Sequence, residues 1–123
     1  MKPPNEIMHL LRKKLIESAG DAFQEGRAQE ASAYRRALAA TTKDCFNAEV
    51  IDDNVSLLIR GTSNQYYLTD WNSCQCDHGI KGRKKEDGEM RSMCWHIALV
   101  RAWIAAYIFA ETQEEINYGD EQH

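Results

Sequence analysis

The sequence predicts an α+β fold: an N-terminal helical hairpin, a small antiparallel β-sheet of two or three strands, a loop of clustered cysteines, and a C-terminal apolar helix. Three observations predict it. Apolar residues recur at helical spacing towards both ends, they alternate in the middle, and Cys74, Cys76, Cys94 and His96 form two tight pairs between the alternating part and the last helical part. With 123 residues, 43% of them apolar and 28% charged, the chain suffices for one core, so a single compact domain is expected. Within it, residues 1–44 form the helical segment, 45–111 the sheet, cysteine loop and last helix, and 112–123 an acidic tail.

Pro3, Pro4 and Asn5 suit the start of a helix, and Ile7, Leu10, Leu11 and Leu15 follow at i, i+3, i+4 and i+8 as one apolar stripe. This helix is expected to end near Gly20. Gly26 separates it from a second helix over Arg27 to Ala40, rich in alanine, with Tyr34 and Leu38 as its larger apolar side chains. Alanine lets helix axes approach closely, so the two helices read as a hairpin that covers the rest of the fold.

From Phe46 the period changes to two. Val55, Leu57 and Ile59 share one face, a turn falls at Gly61 to Asn64, and Tyr66 and Leu68 continue the pattern as a hairpin partner. Asp52, Asp53 and Asn54 mark an earlier turn, which makes Phe46 to Ile51 a first strand. Leu58 and Tyr67 fall on the opposite face, which therefore also needs a cover, and the first helices are the expected one.

Trp95 to Ala110 reads as helix, with Ile97, Val100, Ile104 and Ile108 as a stripe that Leu99, Trp103 and Ala106 widen around the cylinder. Such a helix is buried on most sides, or buried on one side and covered by a partner on another. Trp95, Trp103, Ile104, Tyr107 and Ile108 are the candidates for partner contact. Arg101 interrupts the apolar run, which falls short of the roughly 20 residues a bilayer span requires.

The net charge of −4 excludes a globally basic nucleic-acid binder. Charge is unevenly placed: Met1 to Asp44 holds 8 Lys and Arg against 6 Asp and Glu, whereas Glu111 to His123 holds five acids and no Lys or Arg, as a solvated tail would. No long apolar run precedes Arg12, Lys13 and Lys14, so a secretory signal is not expected. A cytoplasmic, nucleoid or nuclear setting follows, where thiols stay reduced and available as metal ligands.

Cys74-x-Cys76 and Cys94-x-His96 are separated by 17 residues. Side chains two residues apart leave extended or turning backbone on the same side, so each pair can chelate, and three thiolates with one imidazole suit a tetrahedral zinc ion. Four protein ligands leave no open position, which makes one structural zinc the expected cofactor. Within a helix, residues two apart diverge by about 200°, so Cys94 belongs just before the last helix or at its N-cap. His78 offers an alternative nitrogen ligand in place of His96. Cys45 stands apart and reads as a small buried residue.

A hairpin running into Cys-x-Cys, a variable spacer, and Cys-x-His opening an apolar helix resembles the SWIM-type zinc finger. The likeness spans about 55–107 and includes Cys94-Trp95-His96-Ile97-Ala98, with Trp95 where that family usually has lysine. The resemblance implies a ββα unit, zinc on Cys74, Cys76, Cys94 and His96, and an association with nucleic-acid or protein binding. Lys81, Arg83, Lys84 and Lys85, between Gly79 and Glu86, form the basic run suited to phosphate, while Glu86, Asp87 and Glu89 nearly cancel its charge. Neither H-E-x-x-H, the deaminase H-x-E pattern nor a Walker loop occurs. The expectation is a non-catalytic, zinc-stabilised protein acting in DNA or RNA transactions; the alternative is a protein–protein adaptor, with self-association its simplest form. Neither a membrane nor a small-molecule substrate is expected.

Overall fold

The computed structural model describes residues 3–51, 56–61, 65–76 and 93–121, with side chains described as far as residue 109. A 3-10 turn over Pro4–Ile7 leads into helix α1, Met8–Gln24. Proline suits this start because its missing N–H would have no helical partner there. Ile7, Leu11, Leu15, Ala19 and Ala22 make one buried stripe. The helix does not end near Gly20 as expected. It runs on to Gln24, and Gly26 just beyond it has a φ of 80°, in the left-handed region. There the Arg27 N–H bonds the Ala22 carbonyl at 2.7 Å and the Gly26 N–H bonds the Phe23 carbonyl at 3.1 Å. This pair of bonds satisfies the last helical carbonyls, whereas an interior glycine such as Gly20 costs a helix only about 1 kcal/mol and does not stop it.

Helix α2, Ala28–Ala40, returns along α1 and buries Ala31, Ala33, Tyr34, Ala37 and Ala40. Arg12 locks the hairpin: its Nε bonds Thr41 Oγ1 at 3.2 Å and a terminal nitrogen bonds the Thr41 carbonyl at 2.8 Å. The Thr41 hydroxyl in turn donates to the Leu38 carbonyl at 2.6 Å.

Strands β1, Asn47–Ile51, β2, Ser56–Arg60, and β3, Tyr66–Thr69, form an antiparallel sheet in that order. The expected turn at 52–54, Val55 and most of the second turn lie outside the described residues. The register corrects the expected faces. Leu57 pairs with Thr69 and Ile59 with Tyr67, so Tyr67 and Thr69 lie on the core face, while Leu58 pairs with Leu68 and Arg60 with Tyr66 on the other. Turn length sets register, and a slip of one residue exchanges every side chain between faces. Tyr66 and Leu68 are consequently exposed.

Helix α3, Trp95–Glu121, runs between the hairpin and the sheet. It packs on α1 and α2 and touches β2 and β3, so the first helices cover α3 rather than the outer sheet face. Ile97, Ala98, Leu99, Val100, Ala102, Trp103 and Ala106 are buried around most of its circumference. The segment expected as an acidic tail continues this helix as far as Glu121. Among the described residues, no helix is long and apolar enough to cross a membrane.

Replacing Arg12 by alanine removes both bonds to Thr41 and leaves a largely buried carbonyl without them. A loss of about 1–3 kcal/mol is expected in denaturant unfolding, with the helix content of the folded state unchanged.

Candidate metal centre

The first donor pair is delivered by the end of the sheet. After β3, Asp70 Oδ1 accepts the backbone N–H groups of Asn72 at 2.8 Å and Ser73 at 2.7 Å, and the Asp70 N–H bonds the Ser73 carbonyl at 2.8 Å. Aspartate favours such turns because its short side chain satisfies nearby backbone donors. The chain thus folds back beside β3, with Cys74 bridged to Thr69 and the Gln75 N–H bonded to the Leu68 carbonyl at 3.1 Å. Cys74 and Cys76 then point into the interior, and both are buried.

The second pair comes from the start of α3. Cys94 is the last residue before the helix, and its carbonyl accepts the Ala98 N–H at 3.2 Å. Its thiol also takes the Ile97 backbone N–H. It therefore acts as an N-cap, the position that the divergence of helical side chains demands, and His96 enters the cluster from the first turn. The donor atoms of Cys74, Cys76, Cys94 and His96 all lie within 4.8 Å of one another, and all four residues are buried. Among the described residues they are the one such group.

Two observations show that these donors suit a cation. Nδ1 of His96 is buried with no hydrogen-bond partner, a costly state for an imidazole nitrogen unless an ion or proton engages it. The thiols are crowded, with burial and their hydrogen bonds to one another raising the Cys94 thiol far above its ordinary range: Cys74 is the largest influence, then Cys76, and the Ile97 N–H opposes them. For His96, burial lowers the pKa, but bonding and charge from Cys74 and Cys76 outweigh it and raise it to about 9. A dication replaces the protons that otherwise hold such a cluster together.

A supporting shell surrounds the donors. The Thr69 hydroxyl donates to Cys74 Sγ at 3.2 Å and the Cys76 N–H to the same sulfur at 3.4 Å. The His96 ring is held between Trp95, stacked with a centroid distance of 3.9 Å, and Tyr67 at 5.2 Å. Gly61 makes room for Trp95, since a Cβ there would lie 2.5 Å from the indole. Cys45 donates its thiol hydrogen to the Gly61 carbonyl, so it supports this corner from outside the donor set. Arg101, the one charge in the apolar part of α3, donates Nε to the Trp71 carbonyl at 3.0 Å and lies 5.1 Å from the Trp71 ring centroid. It straps the Asp70 turn to the helix that carries the other two donors.

The structure thus brings together all four expected donors. His78 and the basic residues Lys81, Arg83, Lys84 and Lys85 lie outside the described residues. Of the expected partner-contact residues, Trp95 is half-buried against Gly61 and His96, Ile104 and Tyr107 are half-buried, and Ile108 is exposed. Trp103 is corrected: it has no exposed surface and is a core residue enclosed by the fold. Sequence reasoning did not single out Thr69, Tyr67, Gly61 or the Arg101 strap. The Asp-Trp-Asn-Ser run of 70–73 was a legible turn signal that would have placed Thr69 opposite Cys74.

No family model matches the chain, and no curated protein or solved structure matches it either. Its class is defined by its own fold and site: a small α+β domain around a buried Cys3His cluster that can hold one metal ion.

Two outcomes test the site. Thr69→Val keeps the shape but removes the hydroxyl from Cys74, and at least tenfold weaker metal retention is expected in a chelator competition. In metal-free protein, the His96 contribution to stability is full below pH 6.5 and is lost as pH rises through about 9, because the folded-state value lies above the ordinary one. Metal-loaded protein should show the opposite trend, losing stability on acidification as protons displace the ion; melting curves with and without chelator measure both slopes.

Proposed function

We propose that this chain is a SWIM-type zinc-binding protein without catalytic activity, in which the ion is structural and orders a surface for binding DNA or RNA. The buried convergence of four Cys and His donors carries the reading. Cys74, Cys76, Cys94 and His96 would hold the ion. Zinc–sulfur distances of about 2.3 Å set the edges of such a tetrahedron near 3.8 Å, so donors already within 4.8 Å need only a small contraction. Three soft sulfurs and one imidazole favour zinc over the oxygen-seeking cations. The ion supplies cross-linking of the hairpin end to the α3 start; the N–H groups of Cys76 and Ile97 and the Thr69 hydroxyl share out the excess thiolate charge. With four protein ligands, no position is left for a substrate.

Nucleic-acid contact falls to the segment between the two donor pairs. Both its ends, Cys76 and Cys94, belong to the cluster, and its sequence contains Lys81, Arg83, Lys84 and Lys85. Lysine and arginine bind phosphate by charge and release counterions, so binding weakens steeply with salt. The neighbouring Glu86, Asp87 and Glu89 limit the net charge and favour a modest, salt-sensitive affinity.

Metal analysis of purified protein should return one zinc per chain. With zinc loaded, titration against single- and double-stranded oligonucleotides should show binding that falls as salt rises, and Lys84→Glu with Lys85→Glu should abolish it while metal content stays the same. Absence of binding at low salt would overturn the nucleic-acid reading and leave the zinc reading standing.

A further inference from the structure

The two most exposed large apolar side chains of the described residues sit on one face of one helix. Phe23 and Ile16 are 61% and 60% exposed, and with Gly20 they fall at i, i+4 and i+7 along α1. Among the described residues nothing lies within 4 Å of where a Cβ on Gly20 would be, so none of their contacts accounts for a glycine in the middle of this helix. Glycine weakens a helix interior, and its use there is explained where another backbone approaches closely. Arg35 of α2 lies over the Phe23 ring at 5.5 Å, which places the stripe along the groove between the two helices. On the α2 side, Ser32 and Ala39 are exposed and small, and Arg35 and Arg36 flank them. The groove therefore has apolar anchors, a shallow floor and a cationic edge. An acidic amphipathic helix is complementary to it in shape and charge.

This chain contains an acidic helical segment. Its packed part includes the half-buried Tyr107, yet α3 continues to Glu121, and at 1.5 Å per residue the remaining 14 residues add about 21 Å. The sequence from Glu111 onward carries five acids and no Lys or Arg, with Ile108, Thr112 and Ile116 at i, i+4 and i+8. A polar helical half of this length is marginal alone in water and gains stability from a surface to lie on. We propose that the α1–α2 groove of one copy receives the acidic second half of α3 from a second copy, giving a two-fold dimer by reciprocal exchange. The inference does not depend on the zinc or nucleic-acid reading, since neither the donor cluster nor the basic run takes part.

Light scattering on the full metal-loaded chain across a concentration series should show mass rising towards twice that of the chain. Phe23→Glu should return it to the single-chain mass, with unchanged circular dichroism because the side chain is exposed. Gly20→Ala should raise the melting temperature measured in the monomeric Phe23→Glu background, while in the otherwise native chain it weakens association by about tenfold; a glycine serving only the helix would not separate the two effects. Charge exchange gives the decisive arm. Arg35→Glu with Arg36→Glu, and separately Glu114→Lys with Glu115→Lys, should each be monomeric, and mixing the two variants should restore a mixed dimer. A chain monomeric at every concentration, a dimer indifferent to these substitutions, or a monomer that binds an acidic helix only from another protein would each overturn the proposal.

Discussion

The start of α3 and the convergence of the donors are one physical event. Cys94 can share a centre with His96 only if it lies outside the helix, because two residues apart within a helix point to nearly opposite sides. The helix accordingly begins at Trp95, and the Cys94 thiol takes the Ile97 N–H as a capping group would. A helix beginning one turn earlier would satisfy the same backbone groups but would scatter the donors. The cluster therefore sets the phase of α3, and with it which residues face the hairpin and which face the sheet.

That phase matters because α3 is one of the two elements that hold the sheet, the other being the 3-10 turn Pro4–Ile7 against β1. The helices α1, α2 and α3 pack extensively on one another, whereas α3 meets the sheet along β2 and β3 over a narrower zone. Leu57, Ile59 and Thr69 are fully buried in that zone, and the cluster lies at its end. The Arg101 strap to Trp71 and the seating of Trp95 against Gly61 join the same two elements on either side. Each of these contacts brings a residue near the start of α3 to the β2–β3 corner or to the turn after β3. A metal ion on the four donors would add a cross-link between the end of the sheet and the start of α3.

Burial also explains a helix that is apolar nearly all round. Such a sequence fits a partner surface or a central core helix equally well by pattern. Here α3 is the central one, covered by the alanine-rich hairpin on one side and by the sheet on the other. Small residues on α2 let the hairpin pack closely on α3, which carries Trp103, the largest fully buried side chain. Among the described residues the two most exposed large apolar side chains lie instead on the outer stripe of α1, slightly ahead of Ile108 on α3 itself.

The element types and the four donors were legible in the sequence because each depends on short-range spacing. Helical and alternating periods identify helices and strands, and two donors separated by one residue form a chelating pair whatever surrounds them. The N-cap position of Cys94 followed from helix geometry alone. Tertiary structure decided what spacing leaves open. The register of β3 put Tyr67 and Thr69 inward, because pairing with β2 and the burial of Thr69 select one of two faces that the alternating pattern allows equally. The end of α1 lies at Gln24 rather than near Gly20, because the left-handed Gly26 just beyond it closes the carbonyls of the last turn. Thr69 beside Cys74, the two rings around His96 and the place of Trp103 in the core all depend on residues brought together from separate elements. Local sequence determined which side chains could bind an ion; packing between distant segments decided which neighbours hold them in place.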